Sequence, residues 1–218
     1  MKSSLYDLNT SSQDVLNHFL EVHKEELKNF DFEITVNHVR NESNDAFEVK
    51  AQLNGSKVVS TISTMSISGY RYALNAILNW IKNYANQDLV LSDRPHFTFR
   101  GVIEGFYGKP WSHEQRLRSL DFFGDFGMNA YFIAPKDAPW QRFNWRAPFK
   151  SEFLDLTKQL VVRGALNGVN VAVCVSPGLS VKYSDPSDID AVITRYQQLH
   201  EIGVNHFGLL WDDISWEL

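Results

Sequence analysis

Two adjacent carboxylates, Asp212 and Asp213, follow the apolar run Val204-Asn-His-Phe-Gly-Leu-Leu-Trp211. The run reads as a strand of a parallel sheet, because strands buried on both faces are near-continuously hydrophobic. Ionised carboxylates are costly to bury unpaired, so an acid pair at the end of such a strand belongs where water, a cation or a substrate meets it. Ligands of α/β folds gather at the carboxyl ends of strands. The residues alone leave three readings: a solvated strand-to-loop boundary, a divalent cation held by Asp212, Asp213 and Asp137, or acid/base work on a bound molecule.

Three earlier strands also end in distinctive polar or glycine residues. The strand Phe97–Ile103 runs into Glu104-Gly105, Asn129–Ala134 into Lys136-Asp137, and Asn170–Val175 into Ser176-Pro177-Gly178. Helices are predicted from Ser112, from Ser151 to Leu166, and from Pro186, placed as a first-turn proline, to Ile202. Gly127-Met-Asn129, Gly168-Val-Asn170 and Gly203-Val-Asn205 each close a helix and open a strand, with the glycines 41 and 35 residues apart. Glycine is expected just past a helix end, where positive φ is needed. Four consecutive βα units fit a doubly wound sheet or a (β/α)8 barrel. Distinctive residues at every strand end favour the barrel, whose mouth gathers all of them. Gly105-Phe-Tyr-Gly108 is also no dinucleotide fingerprint. The fold expected for this part is α/β, the first half of a TIM-type barrel.

Residues 1–94 read as a separate small α+β domain, with 95–218 as the barrel portion. Ser11 or Ser12 caps a helix running to about Phe30, with Val15, Leu16, Phe19, Leu20 and Leu27 on its apolar side. Phe32–Val36 and Phe47–Leu53 alternate as strands, and Asn54-Gly55 marks a hairpin into Lys57–Ser60. A second helix follows Gly69, with Tyr70, Ala73, Leu74, Ile77, Leu78, Ile81 and Tyr84 as its stripe. Leu91–His96 reads as a turn-forming junction. His18, His23 and His38 share no ligand spacing and are expected on the surface.

Composition narrows the partners. Net charge is −5 with scattered basic residues, which disfavours nucleic acid and anionic membranes. The single cysteine, Cys174, lies in an apolar run and reads as a small buried hydrophobe, with no disulfide framework possible. No apolar leader and no 18-residue apolar stretch is present, so a cytoplasmic address is the expectation.

Four stretches then carry a resemblance: Arg100-Gly-Val-Ile-Glu-Gly-Phe-Tyr-Gly-Lys-Pro-Trp111, Met128-Asn-Ala-Tyr-Phe-Ile-Ala-Pro-Lys-Asp137, Ser176-Pro-Gly-Leu179 and Trp211-Asp-Asp-Ile214. In this order and spacing the chain resembles glycoside hydrolase family 84, the O-GlcNAcases and bacterial β-N-acetylglucosaminidases. The resemblance implies that Asp212 orients the substrate's acetamido group and that Asp213 is the general acid/base. It also implies that the Gly105 carbonyl and the Lys136 ammonium bind sugar hydroxyls, with no cofactor and no metal. Without the family, Lys136 is equally a solvated charge and Gly105 a turn glycine. Glu104 and Asp137 are expected off the substrate, and Tyr107, Trp111, Trp140 and Trp145 are expected to pack.

The implied chemistry suits neighbouring acids. Retaining glycosidases with a protein nucleophile place two carboxyls about 5–5.5 Å apart across the scissile bond. Consecutive strand residues point to opposite faces and do not flank a sugar that way. In substrate-assisted hydrolysis the acetamido oxygen attacks the anomeric carbon, so one carboxylate serves the amide N–H and a second carboxyl serves the leaving oxygen. The family's barrel continues for four more βα units past the last strand seen in this sequence. The expectation is therefore an incomplete part of a hydrolase acting on β-linked N-acetylglucosamine, with self-association through the open half-barrel. The alternatives are an inactive sugar-binding or interaction module and a metal-dependent barrel hydrolase.

Overall fold

The computed structural model describes residues 10–40 and 45–211. Its first layer begins with helix α1 (Ser12–Val22), which Ser11 opens by a reciprocal capping box with Asp14. The single helix expected to reach Phe30 breaks at His23 (φ −105°, ψ 25°), and a short α2 (Lys24–Leu27) follows. The His23 ring packs 4.6 Å from that of Phe19 and turns inward, which ends the helical path.

Strands β1 (Asp31–His38), β2 (Phe47–Asn54) and β3 (Lys57–Thr64) follow, with Asn54 and Lys57 paired across the hairpin at Gly55. Helix α3 (Ile67–Asn83) is capped by Ser66 and so starts before Gly69, not after it. Gly69 lies where a Cβ would meet Thr64 Oγ1 at 2.1 Å and the Ala46 carbonyl oxygen at 2.8 Å. Only glycine lets the helix approach the sheet that closely. The first half of the junction expected at Leu91–His96 is instead part of a fourth strand, β4 (Leu89–Asp93), antiparallel to β2. It is an outer strand with largely exposed side chains, so it shows no hydrophobic alternation to read. The sheet order is β1-β3-β2-β4, with β1 and β3 parallel. One face carries Val49, Ala51, Val58 and Ile62 against Val15 and Phe19 of α1 and Leu74 and Ile77 of α3.

The second layer is all parallel, in the order β5 (Gly101–Glu104), β6 (Ala130–Ile133), β7 (Asn170–Val175), β8 (His206–Leu209). Helices α4 (His113–Asp125), α5 (Ser151–Asn167) and α6 (Pro186–Glu201) connect the strands. Ser112 caps α4 with a box to Gln115, and Asp185 caps α6 ahead of Pro186. The three repeat glycines have positive φ: 67° at Gly127, 69° at Gly168 and 96° at Gly203. Each reverses the chain from helix into strand, so the repeat is a backbone requirement.

Paired residues in a parallel ladder share a face. Val102, Tyr131 and Val171 therefore point with Glu104, Ile133 and Val173 towards the helices, where Leu120, Leu160 and Leu199 complete the core. Ile103, Phe132 and Ala172 point the other way. On that side Ile103 at the outer strand is 66% exposed, while Ala172 and Cys174 of the inner strand are buried. Burial pushes the Cys174 thiol up to about 11, as a small buried hydrophobe requires.

The first layer sits against the amino ends of these strands. Arg100 donates to Asp45 at 2.8 Å and to the Tyr72 hydroxyl at 2.9 Å, and Asn129 donates to the same Asp45 at 3.0 Å. Arg71 is fully buried and paired to Asp125. His18 and His23, expected on the surface, are instead interface residues bonded to Asp121 at 2.9 Å and Asp125 at 3.1 Å. Their partners lie more than 100 residues away in sequence, beyond the reach of local pattern. His38 is exposed as expected. Among the described residues no helix is long and apolar enough to cross a membrane.

Candidate active site

The parallel register brings Glu104-Gly105, Lys136-Asp137, Ser176-Pro177-Gly178 and Trp211 to one end of the sheet. Asp212 and Asp213, the acids from which the sequence reading started, lie outside the described residues. Strand β8 delivers the chain to them from that end, with the Leu210 N–H donating to the Val175 carbonyl at 2.9 Å.

Gly105 is held by its neighbours. The Ala134 N–H donates to the Glu104 carbonyl and the Lys136 N–H to the Phe106 carbonyl, each at 3.1 Å. Ladder pairing thus continues past the strands on either side of Gly105. Successive carbonyls of an extended chain alternate in direction, so the Gly105 carbonyl turns away from β6. The same ladder fixes Lys136 beside this loop, half-exposed, with Nζ 5.9 Å from the centre of the Tyr107 ring. Asp137 anchors the loop's far end, accepting from the Gly108 N–H at 2.7 Å.

Glu104 follows the period-two alternation begun at Val102 and points into the helix layer, with no exposed surface. It accepts from Arg116 Nε at 2.9 Å, Arg116 Nη2 at 2.8 Å, the Trp111 N–H at 3.0 Å and the Tyr131 hydroxyl. A buried carboxylate needs such a set of donors. Burial, reinforced by the neighbouring Glu104 charge, drives the Tyr131 hydroxyl far above its ordinary range. Glu104 therefore ties β5, β6, α4 and the loop entering α4 together, and does not face the mouth. Trp111 stacks on Tyr131 at 6.2 Å, Trp140 packs on Phe153 at 4.9 Å, and Trp145 is fully buried, whereas Tyr107 is 65% exposed.

A second anchor joins the loops after β6 and β7. Arg146 spans both oxygens of Asp188 at 2.5 and 2.7 Å, and Asp188 also accepts from the Lys182 N–H at 2.8 Å. The Arg146 bonds first, then the Lys182 bond, hold the Asp188 carboxyl at about 2. Trp145 Nε1 donates to Ser180 Oγ at 2.9 Å across the same junction. Neither Arg116 nor Arg146 is distinguishable in the sequence from a solvated cation. The parity of Val102-Ile103-Glu104 was the available signal for the first. The alternative cation site combines Asp137, one oxygen of which accepts from Gly108, with Asp212 and Asp213, which lie outside the described residues. Among the described residues no other cluster of three His, Cys, Asp or Glu side chains stands together.

Comparison with known proteins shows the family to which the chain is similar. The sequence model of a family described as beta-N-acetylglucosaminidase matches residues 100–218. The proteins named O-GlcNAcase from Rattus norvegicus and Mus musculus are each 32% identical over 115 residues, covering 53% of this chain and 13% of theirs. The solved structure of CpGH84B superposes with a TM-score of 0.69 and 34% identity, over 80% of this chain and 31% of that one. A point mutant of the O-GlcNAc hydrolase of Thermobaculum terrenum superposes with a TM-score of 0.56 and 39% identity, over 57% of this chain and 27% of that one. The chain thus spans 13% of the curated relatives and less than a third of either solved structure.

Proposed function

The chain belongs to the beta-N-acetylglucosaminidase family, and on that premise we propose that it is part of a glycoside hydrolase cleaving β-linked N-acetylglucosamine by a retaining, substrate-assisted route. Residues 95–218 supply the first half of a (β/α)8 barrel, and residues 1–94 a small domain preceding it. Asp212 accepts the acetamido N–H and so strengthens the acetamido oxygen as the internal nucleophile. That oxygen attacks the anomeric carbon while Asp213 protonates the leaving oxygen. Asp213 then takes a proton from the water that opens the cyclic intermediate, which restores the original configuration. Adjacent acids oppose each other's ionisation, which favours one protonated carboxyl at neutral pH. The Gly105 carbonyl and the Lys136 ammonium hold sugar hydroxyls.

The observation that carries this reading is the ladder around Gly105. It turns the Gly105 carbonyl away from β6, towards the free edge of β5, and sets Lys136 beside that loop, at the end of the layer towards which β8 runs. In the full-length gene product, Asp213→Asn should lower the rate about 10²–10⁴-fold for poor leaving groups and much less for activated ones. Asp212→Asn should slow both classes. Equal leaving-group dependence in the two variants would refute the division of roles, and sugar binding without turnover in the parent protein would favour a binding module. We also propose that a second copy of the chain covers the outer face of β5, where Ile103 is 66% and Phe99 is 64% exposed. Size-exclusion chromatography with light scattering checks this, and a monomer at high concentration would refute it.

A further inference from the structure

On the helix side of the parallel layer lies a cavity of about 430 Å³ between the first turns of α5, the middle of α6 and the loop before α5. Its size is within the range of small-molecule sites, roughly 300–1,000 Å³. Trp140, Phe149, Phe153 and Leu156 give it apolar walls.

Arg195 also lines it and is only 1% exposed. The guanidinium lies 3.7 Å from the centre of the Phe149 ring and donates through Nη1 to the Asn144 carbonyl at 3.0 Å. Nε and Nη2 have no hydrogen-bond partner. Those two nitrogens form one edge of the guanidinium fork, the edge that matches the two oxygens of a carboxylate. Burial without an anion depresses the Arg195 ionisation to about 10.

The start of α5 adds a second attraction for negative charge. Lys150 precedes the helix without making a side-chain cap, and Lys150, Glu152 and Phe153 all line the cavity. An uncapped amino terminus of a 17-residue helix favours an anion at its first turn. Glu152 is exposed and opposes a multiply charged ligand. We propose that this cavity is a binding site for a small organic monocarboxylate with an aromatic or branched apolar body. The carboxylate meets the Nε/Nη2 edge of Arg195, and the apolar body lies on Trp140, Phe153 and Leu156. Both nitrogens are shielded from bulk water, so the ligand reaches them only by entering the cavity and shifting the side chains around the fork.

Calorimetric titration of the chain with 3-phenylpropionate, its neutral amide and inorganic phosphate tests the site without reference to hydrolysis. The acid should bind at least about tenfold more tightly than the amide, the difference expected when a paired charge is replaced by a neutral group, and phosphate should not bind. Arg195→Met should abolish the preference for acid over amide. Should that variant fail to fold, Leu156→Glu decides instead. Leu156 lines the cavity and is 37% exposed, so an acid there should weaken the carboxylate far more than the amide and narrow the difference between them. Equal binding of acid and amide, phosphate binding as tight as the organic acid, or no binding at all would each overturn the proposal.

Discussion

At the amino ends of the parallel strands, Asp45, Arg71, Arg100, Asp125 and Asn129 are each engaged across the boundary between the two layers. At the carboxyl ends the acids Glu104 and Asp188 bond to loop N–H groups and to arginines of their own layer, and among the described residues no hydrogen bond or ion pair joins them to the first layer. The contrast separates two uses of polarity. Bridges at the amino end hold layer to layer. Those at the carboxyl end hold in shape the loops that flank Gly105 and Lys136. Residues lost from the first end should therefore cost stability, and residues lost from the second should cost function.

The largest effect expected from this contrast follows from Asp125→Ala. Arg71 has no exposed surface, and the variant removes the carboxylate paired with it. Breaking a buried pair from one side typically costs about 3–5 kcal/mol. Lys136→Met, at the other end, should cost clearly less, since the side chain is only half-buried and Met keeps much of its apolar stem. Urea denaturation of both variants measures the difference, and comparable losses would abolish the distinction between the ends.

Features set by neighbours in sequence were legible without coordinates: the helix starts at Ser11 or Ser12 and from Ser112, the first-turn Pro186 and the three repeat glycines. The strand ends that gather at the mouth were legible too, because apolar runs stop abruptly in polar residues. What escaped depended on distant partners. His18 and His23 look like surface histidines until α4 brings Asp121 and Asp125 to them. Strand β4 lacks alternation because its side chains past Leu89 are exposed and its backbone pairs along one edge of β2. Arg146 gains meaning only through Asp188, which lies 42 residues downstream. The site was therefore readable as a set of strand ends, but the bridges that shape its loops were not.

An intermediate effect should come from the strand that carries the acids. A Cβ at Gly208 would lie 2.3 Å from Cys174 Sγ and 3.1 Å from Cys174 Cβ, on the neighbouring strand. Gly208→Ala should cost about 1–3 kcal/mol, as overpacking of a closely fitted interior does. Cys174→Ala in the same chain should recover part of that loss, because contacting sites are non-additive. Thermal melts of the two single variants and the double variant provide the cycle. Strict additivity would mean that β7 and β8 do not touch there. The carboxyl end would then owe less to backbone packing than the contrast between the two ends supposes.

The smallest effect is a pH response of the loop junction at the carboxyl end. The Asp188 carboxyl is held at about 2, whereas an unfolded aspartate titrates near 3.9. A depressed folded value means the contribution to stability is complete above about pH 4 and is lost as pH falls towards 2. Protonation would release Arg146, whose guanidinium lies 4.2 Å over the Trp145 ring, and would disturb the junction where Trp145 donates to Ser180. Tryptophan fluorescence should therefore change between about pH 4 and pH 2, and Trp145→Phe should remove most of the change. Asp125 is also held below the usual carboxylate range: burial pushes it up, but the bonds from His23 and Arg71 outweigh that, so acid weakens the other end as well. The two are separable, because Asp188→Asn should show the fluorescence of the opened loop already at neutral pH while far-ultraviolet dichroism still reports an acid transition. If Asp188→Asn instead lowers the whole molecule's stability as much as Asp125→Ala does, the bridge between the β6 and β7 loops belongs with the layer-to-layer bridges, and the two ends of the sheet are built alike.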